Sequence, residues 1–407
     1  MRRQPGECTS HPPPIDESIQ YDFVGPPPNP KQHISDKEVT VSFLQKSTLV
    51  LKRRLVLKCS VLALAVAVIV MTGTRTTLAA QDANILETGS SLLYPLFNLW
   101  VPAYTKDHPS VRITTQSTGS GTGMSQAVAG IAQIGASDAY LSDALMKMHP
   151  NMLNIPLAIS MQMVNYNLPG LNNDHIKLSG PVLTGIYDGS ITMWNDHAIA
   201  EMNPGIRLPA HSIIPIHRSD GSGDTFIFTQ YLAFSTPSWS SKFSYGTTIS
   251  WSPVSGELGA IGNPGMVTAL KDNAYSIAYI GSSYEDAIEK DGMGIASLKN
   301  RDGSFVLPTA ATAAAAAAQM VPKTPSSERI SLIFAPGAQS YPIINYEYAI
   351  VNERQPSSST ASAMRDLFDW AISKSGGNAS HFMEEVHFVP LPASVVKLSS
   401  AQIAKIQ

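Results

Sequence analysis

The stretch His217-Arg218-Ser219-Asp220-Gly221-Ser222-Gly223-Asp224-Thr225 follows a short apolar run, Ile213 to Ile216, and precedes Phe226 to Leu232, whose apolar residues fit a helix. A strand therefore feeds a glycine turn that opens a helix, which narrows the architectures open to the chain. Such a turn aims backbone N–H groups and a hydroxyl at an anion, with the positive end of the helix behind them. Arg218 adds a fixed, forked cation suited to oxyanions. Asp224 breaks the pattern, because it puts a carboxylate where an anion should sit.

The same design recurs. Ile85 to Thr88 reads as a strand, Gly89-Ser90-Ser91 as a turn, and Leu92 to Val101 as a helix, with Pro95 tolerable in its first turn and Ser91 at the N-cap position. Val111 to Gln116 alternates like a strand, and Ser117-Thr118-Gly119-Ser120-Gly121-Thr122-Gly123 then opens a small-residue helix, Met124 to Ile131. This turn has neither GxGxxG spacing nor the lysine of a P-loop, so nucleotide binding is not indicated. Ile134 to Ala139 is an apolar strand ending in a carboxylate, Asp138, and ligands of open α/β sheets lie beyond strand ends.

Further along, Pro156 to Asn167 reads as a buried strand crossing between lobes, Val182 to Tyr187 as a helix, and Thr192 to Asp196 as the start of another. Gly246 to Trp251 is a strand candidate, Gly262 to Val267 a turn into a helix, and Tyr275 to Gly281 a strand. Thr312 to Gln319 is alanine-rich and helical by propensity. Ile343 to Val351 reads as a strand, and Ala361 to Trp370 and Val395 to Ile406 as closing helices. Alternation on this scale predicts α/β lobes with mainly parallel sheets. Asn378-Ala379-Ser380 matches a glycosylation sequon and is taken as coincidence.

At 407 residues, with 43% hydrophobic and 14% charged side chains, the chain is long enough for two domains around a sizeable core. A net charge of −3, with no basic stripe carrying interleaved aromatics, gives no sign of a nucleic-acid partner. The two cysteines, Cys8 and Cys59, and the scattered histidines lack metal-ligand spacing, so neither metal nor cofactor is expected. Residues 1–50 are rich in proline and polar residues and read as a disordered extension. Residues 51–83 run from basic (Lys52 to Lys58) to apolar (Cys59 to Met71) to small (Gly73 to Ala80), the order of an export signal or a retained anchor, followed by a linker. Lys58 before Cys59 argues against lipidation, and the remainder of the chain is expected outside the cytoplasm.

Three glycine/serine turns feeding helices, an Asp at a strand end and an Arg just before the third turn form a specific constellation. TGSSLLYPLFNLW, STGSGTGMSQAV, IGASDAYLSD and HRSDGSGDTFIFTQYL, supported by LTGIYDGSITMWND, INYEYAIV and FVPLPASVVKLS, resemble the phosphate-binding proteins of bacterial phosphate ABC importers, from about residue 84 to the C-terminus. The resemblance implies a two-lobe hinged fold of the periplasmic-binding-protein type (type II). Lobe I would comprise residues 84–158 and 344–407, and lobe II residues 159–343. It implies a monomer that carries inorganic phosphate to an ABC permease and performs no catalysis. Carried over by position, Ser90, Ser91, Leu92 and Ser120 donate to phosphate, and Asp138 accepts from its P–OH. Arg218 bonds Asp138 and a phosphate oxygen, while Ser222 and Gly223 donate. Asp224 replaces a threonine that many members carry. We read it as the acceptor of a second P–OH, the other reading being a helix cap turned to solvent.

Two other functional classes fit parts of the chain. His217, Ser222 and Asp220 or Asp224 supply the residue types of a secreted phosphatase or esterase, although the GxSxG elbow is absent. A surface adhesin on the same fold is the other.

Overall fold

The computed structural model describes residues 83–407, and the N-terminal extension and the export-signal pattern lie outside the described residues. Three strands come first, β1 (Ala83–Gly89), β2 (Val111–Ser117) and β3 (Ile134–Ser137), parallel and side by side in the order β2-β1-β3. The chain leaves them through β4 (Met152–Tyr166) and, after a small outlying strand β5 (Lys177–Leu178), builds a second parallel set. That set is β6 (Ile214–Arg218), β7 (Leu258–Ala260) and β8 (Ser276–Gly281), in the order β8-β6-β7. Of three short strands that follow, β9 (Gly294–Ile295) pairs with β4, while β10 (Ser297–Lys299) joins β5 and β11 (Phe305–Val306) in a separate sheet. Finally β12 (Ile344–Asn352) runs antiparallel between β3 and β4. Two parallel triplets are thus joined by an antiparallel pair of long strands.

β4 makes that junction. Its residues are buried along the whole strand, as a near-continuous apolar run predicts for a strand covered on both faces. Met152 to Met161 pair with β12, and Gln162 to Tyr166 pair with β8. The register shifts between Glu347 and Tyr348, whose partners are Ala158 and Pro156, so Leu157 is an extra residue. Proline cannot donate to a ladder, and a bulge is where a central strand tolerates it.

The C-terminal segment closes the first triplet. After α1 (Tyr94–Asp107), α2 (Ser120–Val128), α3 (Gly223–Ser235) and α4 (Gly262–Asp272), helices α5 (Ser358–Ala371) and α6 (Ala393–Ile403) pack on β1 and β4 respectively. Asn378 is buried, donates to the carbonyls of Leu157 (2.7 Å) and Ala371 (2.8 Å), and accepts from the Leu391 amide (2.6 Å). The sequon asparagine is therefore a core tether that holds the bulged residue.

Two expectations need correction. Gly246 to Trp251 forms no strand; the edge beside β6 is taken by β7, and the Thr247 carbonyl instead accepts from the Ser222 amide (2.8 Å). Thr192 to Asp196 stays outside a helix, and Asp196 caps a four-residue helix, His197–Ala200, by accepting from the Ala198 amide (2.8 Å). Among the described residues, no helix is long and apolar enough to cross a membrane.

Candidate functional site

β1, β2, β6 and β7 each end in a turn that starts a helix: α1 (Tyr94–Asp107), α2 (Ser120–Val128), α3 (Gly223–Ser235) and α4 (Gly262–Asp272). Cross-links show that the four N-termini meet. The Gly121 amide donates to the Gly221 carbonyl (2.9 Å), the Asn263 amide to Ser91 Oγ (3.0 Å), and the Gly262 amide to Asp220 Oδ1 (3.3 Å). Four helix starts at one point give a region of positive potential with no added cation. Gly119 holds φ +87°, where a side chain would strain the backbone and meet Asp220 and Gly221.

Asp138 lies at the end of β3 and is 1% exposed. Ser90 Oγ donates to Asp138 Oδ1, and Ser120 Oγ donates to Oδ2 at 3.3 Å. A Cβ on Gly223 would fall 2.4 Å from Asp138 Oδ2 and 2.5 Å from Ser120 Oγ. Position 223 must therefore lack a side chain for α3 to start against Asp138. Burial raises the Asp138 pKa, against the lowering effects of Glu347, Ser90, Arg218 and Ser120.

The opposite side is organised around Arg218, which is 3% exposed. Its Nε and Nη2 hold Asp220 in a bidentate pair at 2.6 and 2.5 Å, and its Nη1 holds Asp224 Oδ2 at 2.5 Å. This corrects the expected Arg218–Asp138 bond: Asp220, two residues away in the same turn, takes that edge of the guanidinium. The influence of Arg218 on Asp138 is Coulombic. Burial alone would lower the Arg218 pKa, but Asp220 and Asp224 raise it overall. Asp220 is pushed up by burial and pulled further down by Arg218, so it ends below the ordinary value.

Asp224 is 1% exposed, which excludes a cap turned to solvent; Ser222 is the cap, accepting from the Thr225 amide (3.3 Å). Asp224 Oδ2 accepts from Arg218 and from Asn263 Nδ2 (2.9 Å), while Oδ1 accepts from Gln162 Nε2 (3.1 Å). Each carboxylate oxygen has two lone pairs, so Oδ1 retains room for one more donor. Burial and then the Asp138 charge raise the Asp224 pKa, outweighing the ion pair with Arg218.

The first turn differs in detail from expectation. Ser90 Oγ accepts from the amides of Leu92 (3.1 Å) and Leu93 (3.0 Å) in the turn that leads into α1, and α1 itself has no side-chain cap. Ser91 Oγ instead accepts from the Asn263 amide and Nδ2, both at 3.0 Å. The structure thus brings Ser90, Ser91, Leu92, Ser120, Asp138, Arg218, Ser222, Gly223 and Asp224 into one buried region. His217 is not a base for Ser222: its Nδ1 lies 3.1 Å from the Arg218 carbonyl, and its ring stacks on Trp251.

Three contributors escaped the sequence reading as site residues, Gln162, Asn263 and Glu347, while Asp220 entered it only as an alternative acid beside His217 and Ser222. Glu347 is fully buried on β12, and Ser160 Oγ donates to its Oε1 at 2.6 Å. A glutamate inside the apolar run Ile343 to Val351 was the available signal.

A family model described as the PBP superfamily domain matches residues 74–375. The phosphate-binding protein PstS of Pasteurella multocida is 34% identical over 80% of this chain and 91% of its own length. That of Haemophilus influenzae is 32% identical over 79% of this chain and 93% of its own. Among solved structures, a phosphate-binding protein from Stenotrophomonas maltophilia superposes with a TM-score of 0.61 at 17% identity, covering 78% of this chain and 93% of that one. The chain belongs to the PstS family of phosphate-binding proteins, within the PBP superfamily.

Proposed function

We propose that this protein captures inorganic phosphate, as HPO4(2−) or H2PO4(−), in a cleft between two lobes outside the cytoplasm. It then hands phosphate to the transmembrane subunits of an ABC permease, working as a monomer. Lobe I comprises residues 84–158 and 344–407, lobe II residues 159–343, and the change of partner along β4 at Gln162 supports a junction there.

The observation that carries the reading is Asp138, a buried carboxylate among the Ser90 and Ser120 hydroxyls and the start of α3. The Ser91 and Ser222 hydroxyls, Arg218 and the helix starts recognise negative oxygens. Asp138 is acceptor-only while ionised, so it admits an oxyanion only if that oxyanion brings a proton. Phosphate does. Sulfate brings none and would leave two like charges in contact, at a cost of several kcal/mol. Discrimination rests on that repulsion.

Calorimetry with phosphate and sulfate tests this directly. The wild-type chain should bind phosphate and reject sulfate. Asp138→Asn should weaken phosphate by about 10–100-fold, the worth of a hydrogen bond to a charged group, and narrow the gap to sulfate. Equal affinity of the wild-type chain for both anions would overturn the reading.

A further inference from the structure

Asp138 is backed by a second carboxyl group. β12 pairs with β3 through Tyr348 and Ser137, and the next position along each strand is Glu347 and Asp138. That register sets the two carboxyl groups side by side, and each acts on the other's pKa, Glu347 lowering that of Asp138 and Asp138 raising that of Glu347. Glu347 Oε1 accepts from Ser160 Oγ (2.6 Å), whereas no donor among the described residues reaches Glu347 Oε2. The bulge at Leu157 lies beside this contact and shifts the β4 register next to Glu347.

Two ionised carboxylates in buried contact are not sustainable, so the pair holds a proton. Its location follows from the neighbours. Asp138 accepts from two serine hydroxyls and sits in the field of Arg218. Glu347 has the Ser160 hydroxyl, and the charges facing it are Asp138 from β3 and Asp224 from α3, both negative. Burial first, and then Asp138, push the Glu347 pKa well above the ordinary glutamate value.

We infer that Glu347 is a positioning residue for phosphate recognition, its Oε2–H donating to Asp138 so that Asp138 stays ionised and faces the ligand as an acceptor. This rests on the reading of Asp138 as the acceptor of the phosphate P–OH. With the Glu347–Asp138 bond, Ser160 on β4, Glu347 on β12 and Asp138 just past the end of β3 form a hydrogen-bonded line across three adjacent strands, of which the Ser160–Glu347 bond is in place. Ionisation of Glu347 at alkaline pH adds a negative charge behind the site and removes the donor, so phosphate affinity falls.

The test is calorimetry of inorganic phosphate with the full chain across the neutral-to-alkaline range, corrected for the ionisation of phosphate itself. Glu347→Leu should weaken binding about 10–100-fold. Glu347→Gln, whose amide can donate to Asp138 while its carbonyl accepts from Ser160, should recover most of that loss and abolish the alkaline decline. Ser160→Ala removes a donor that favours ionised Glu347, so the decline should move to higher pH. Infrared spectra should show the C=O band of a protonated carboxylic acid that Glu347→Gln deletes. Wild-type affinity in Glu347→Leu, a wild-type pH profile in Glu347→Gln, or no lost band would each overturn the inference. Asp138→Asn separates the two levels: if it leaves phosphate binding intact the underlying reading fails, and if it alone weakens binding only the role of Glu347 fails.

Discussion

Two of the regions that bury carboxyl groups treat them differently. At the site, Asp138, Asp224 and Glu347 act on one another through their charges while each keeps its own donors, and Glu347 Oε2, Gln162 Oε1 and Asn345 Oδ1 have no hydrogen-bond partners among the described residues. In the segment leading back to β12, Glu328 is equally buried, but Ser399 Oγ reaches its Oε1 (2.8 Å) and Gln402 Nε2 its Oε2 (2.5 Å). The Tyr348 hydroxyl donates to the Glu328 carbonyl (2.9 Å). Burial raises the pKa in both places, to about 7 at Glu328. A raised pKa therefore does not mark a binding site on its own. Nor does open hydrogen-bonding capacity by itself, since Glu87 on β1 is fully buried with a raised pKa and neither oxygen has a hydrogen-bond partner among the described residues. The site is set apart by several carboxyl groups gathered at the helix starts, whereas Glu328 has both oxygens engaged and acts as a tether between its loop and α6.

The contrast can be broken experimentally. Arg218→Met should have the largest effect, because one cation serves Asp220 and Asp224. Breaking a buried ion pair by removing one partner costs about 3–5 kcal/mol, and phosphate binding should vanish with it. Denaturant unfolding and calorimetry read both, and a loss below about 1 kcal/mol would put this pair in the class of surface salt bridges.

Glu328→Gln should act on stability alone. A folded-state pKa raised to about 7 means that stability is fully present below the unfolded value and is lost as pH rises through about 7. On the order of 2 kcal/mol of decline between weakly acidic and weakly alkaline pH should disappear in the variant, seen in thermal melts. Phosphate affinity should not move; if it does, the tether and the site are not separate.

Among the site substitutions, the smallest effect on phosphate affinity at a fixed pH is expected from Asp224→Thr, which leaves Arg218 its bidentate pair with Asp220 and is read through the pH trend. If the open lone pair on Asp224 Oδ1 accepts a second P–OH, affinity weakens by up to about tenfold per pH unit as phosphate loses that proton. The threonine variant should flatten this trend. Superimposable pH profiles would leave Asp224 as a partner of Arg218 and nothing more.

Local patterns made much of this legible. The apolar runs behind β4, β6, β8 and β12, and the glycine turns that open α1 to α3, are each a few residues long and can be read where they stand. What escaped depends on distance. Ser91 does not cap α1: its Oγ accepts from Asn263, from another part of the chain, while Ser90 takes the turn amides of Leu92 and Leu93. Gly246 to Trp251 has strand-like composition, but a place in the sheet depends on an available edge, and β7 holds it. Glu347 meets Asp138 only after β12 has returned between β3 and β4. Periodicity shows that such a strand is buried, but it does not identify the neighbours.

β4 also limits which length changes the chain can accept. Ser160 bonds Glu347 and Gln162 bonds Asp224, through side chains two residues apart on one face of the strand. A single insertion or deletion just before Ser160 would turn both side chains to the other face at once. Surface loops joining these elements can gain or lose residues with little penalty. Within Met152–Tyr166 a one-residue change should be excluded even where it leaves every apolar position apolar. Related chains should therefore vary in loop length while keeping this strand in step.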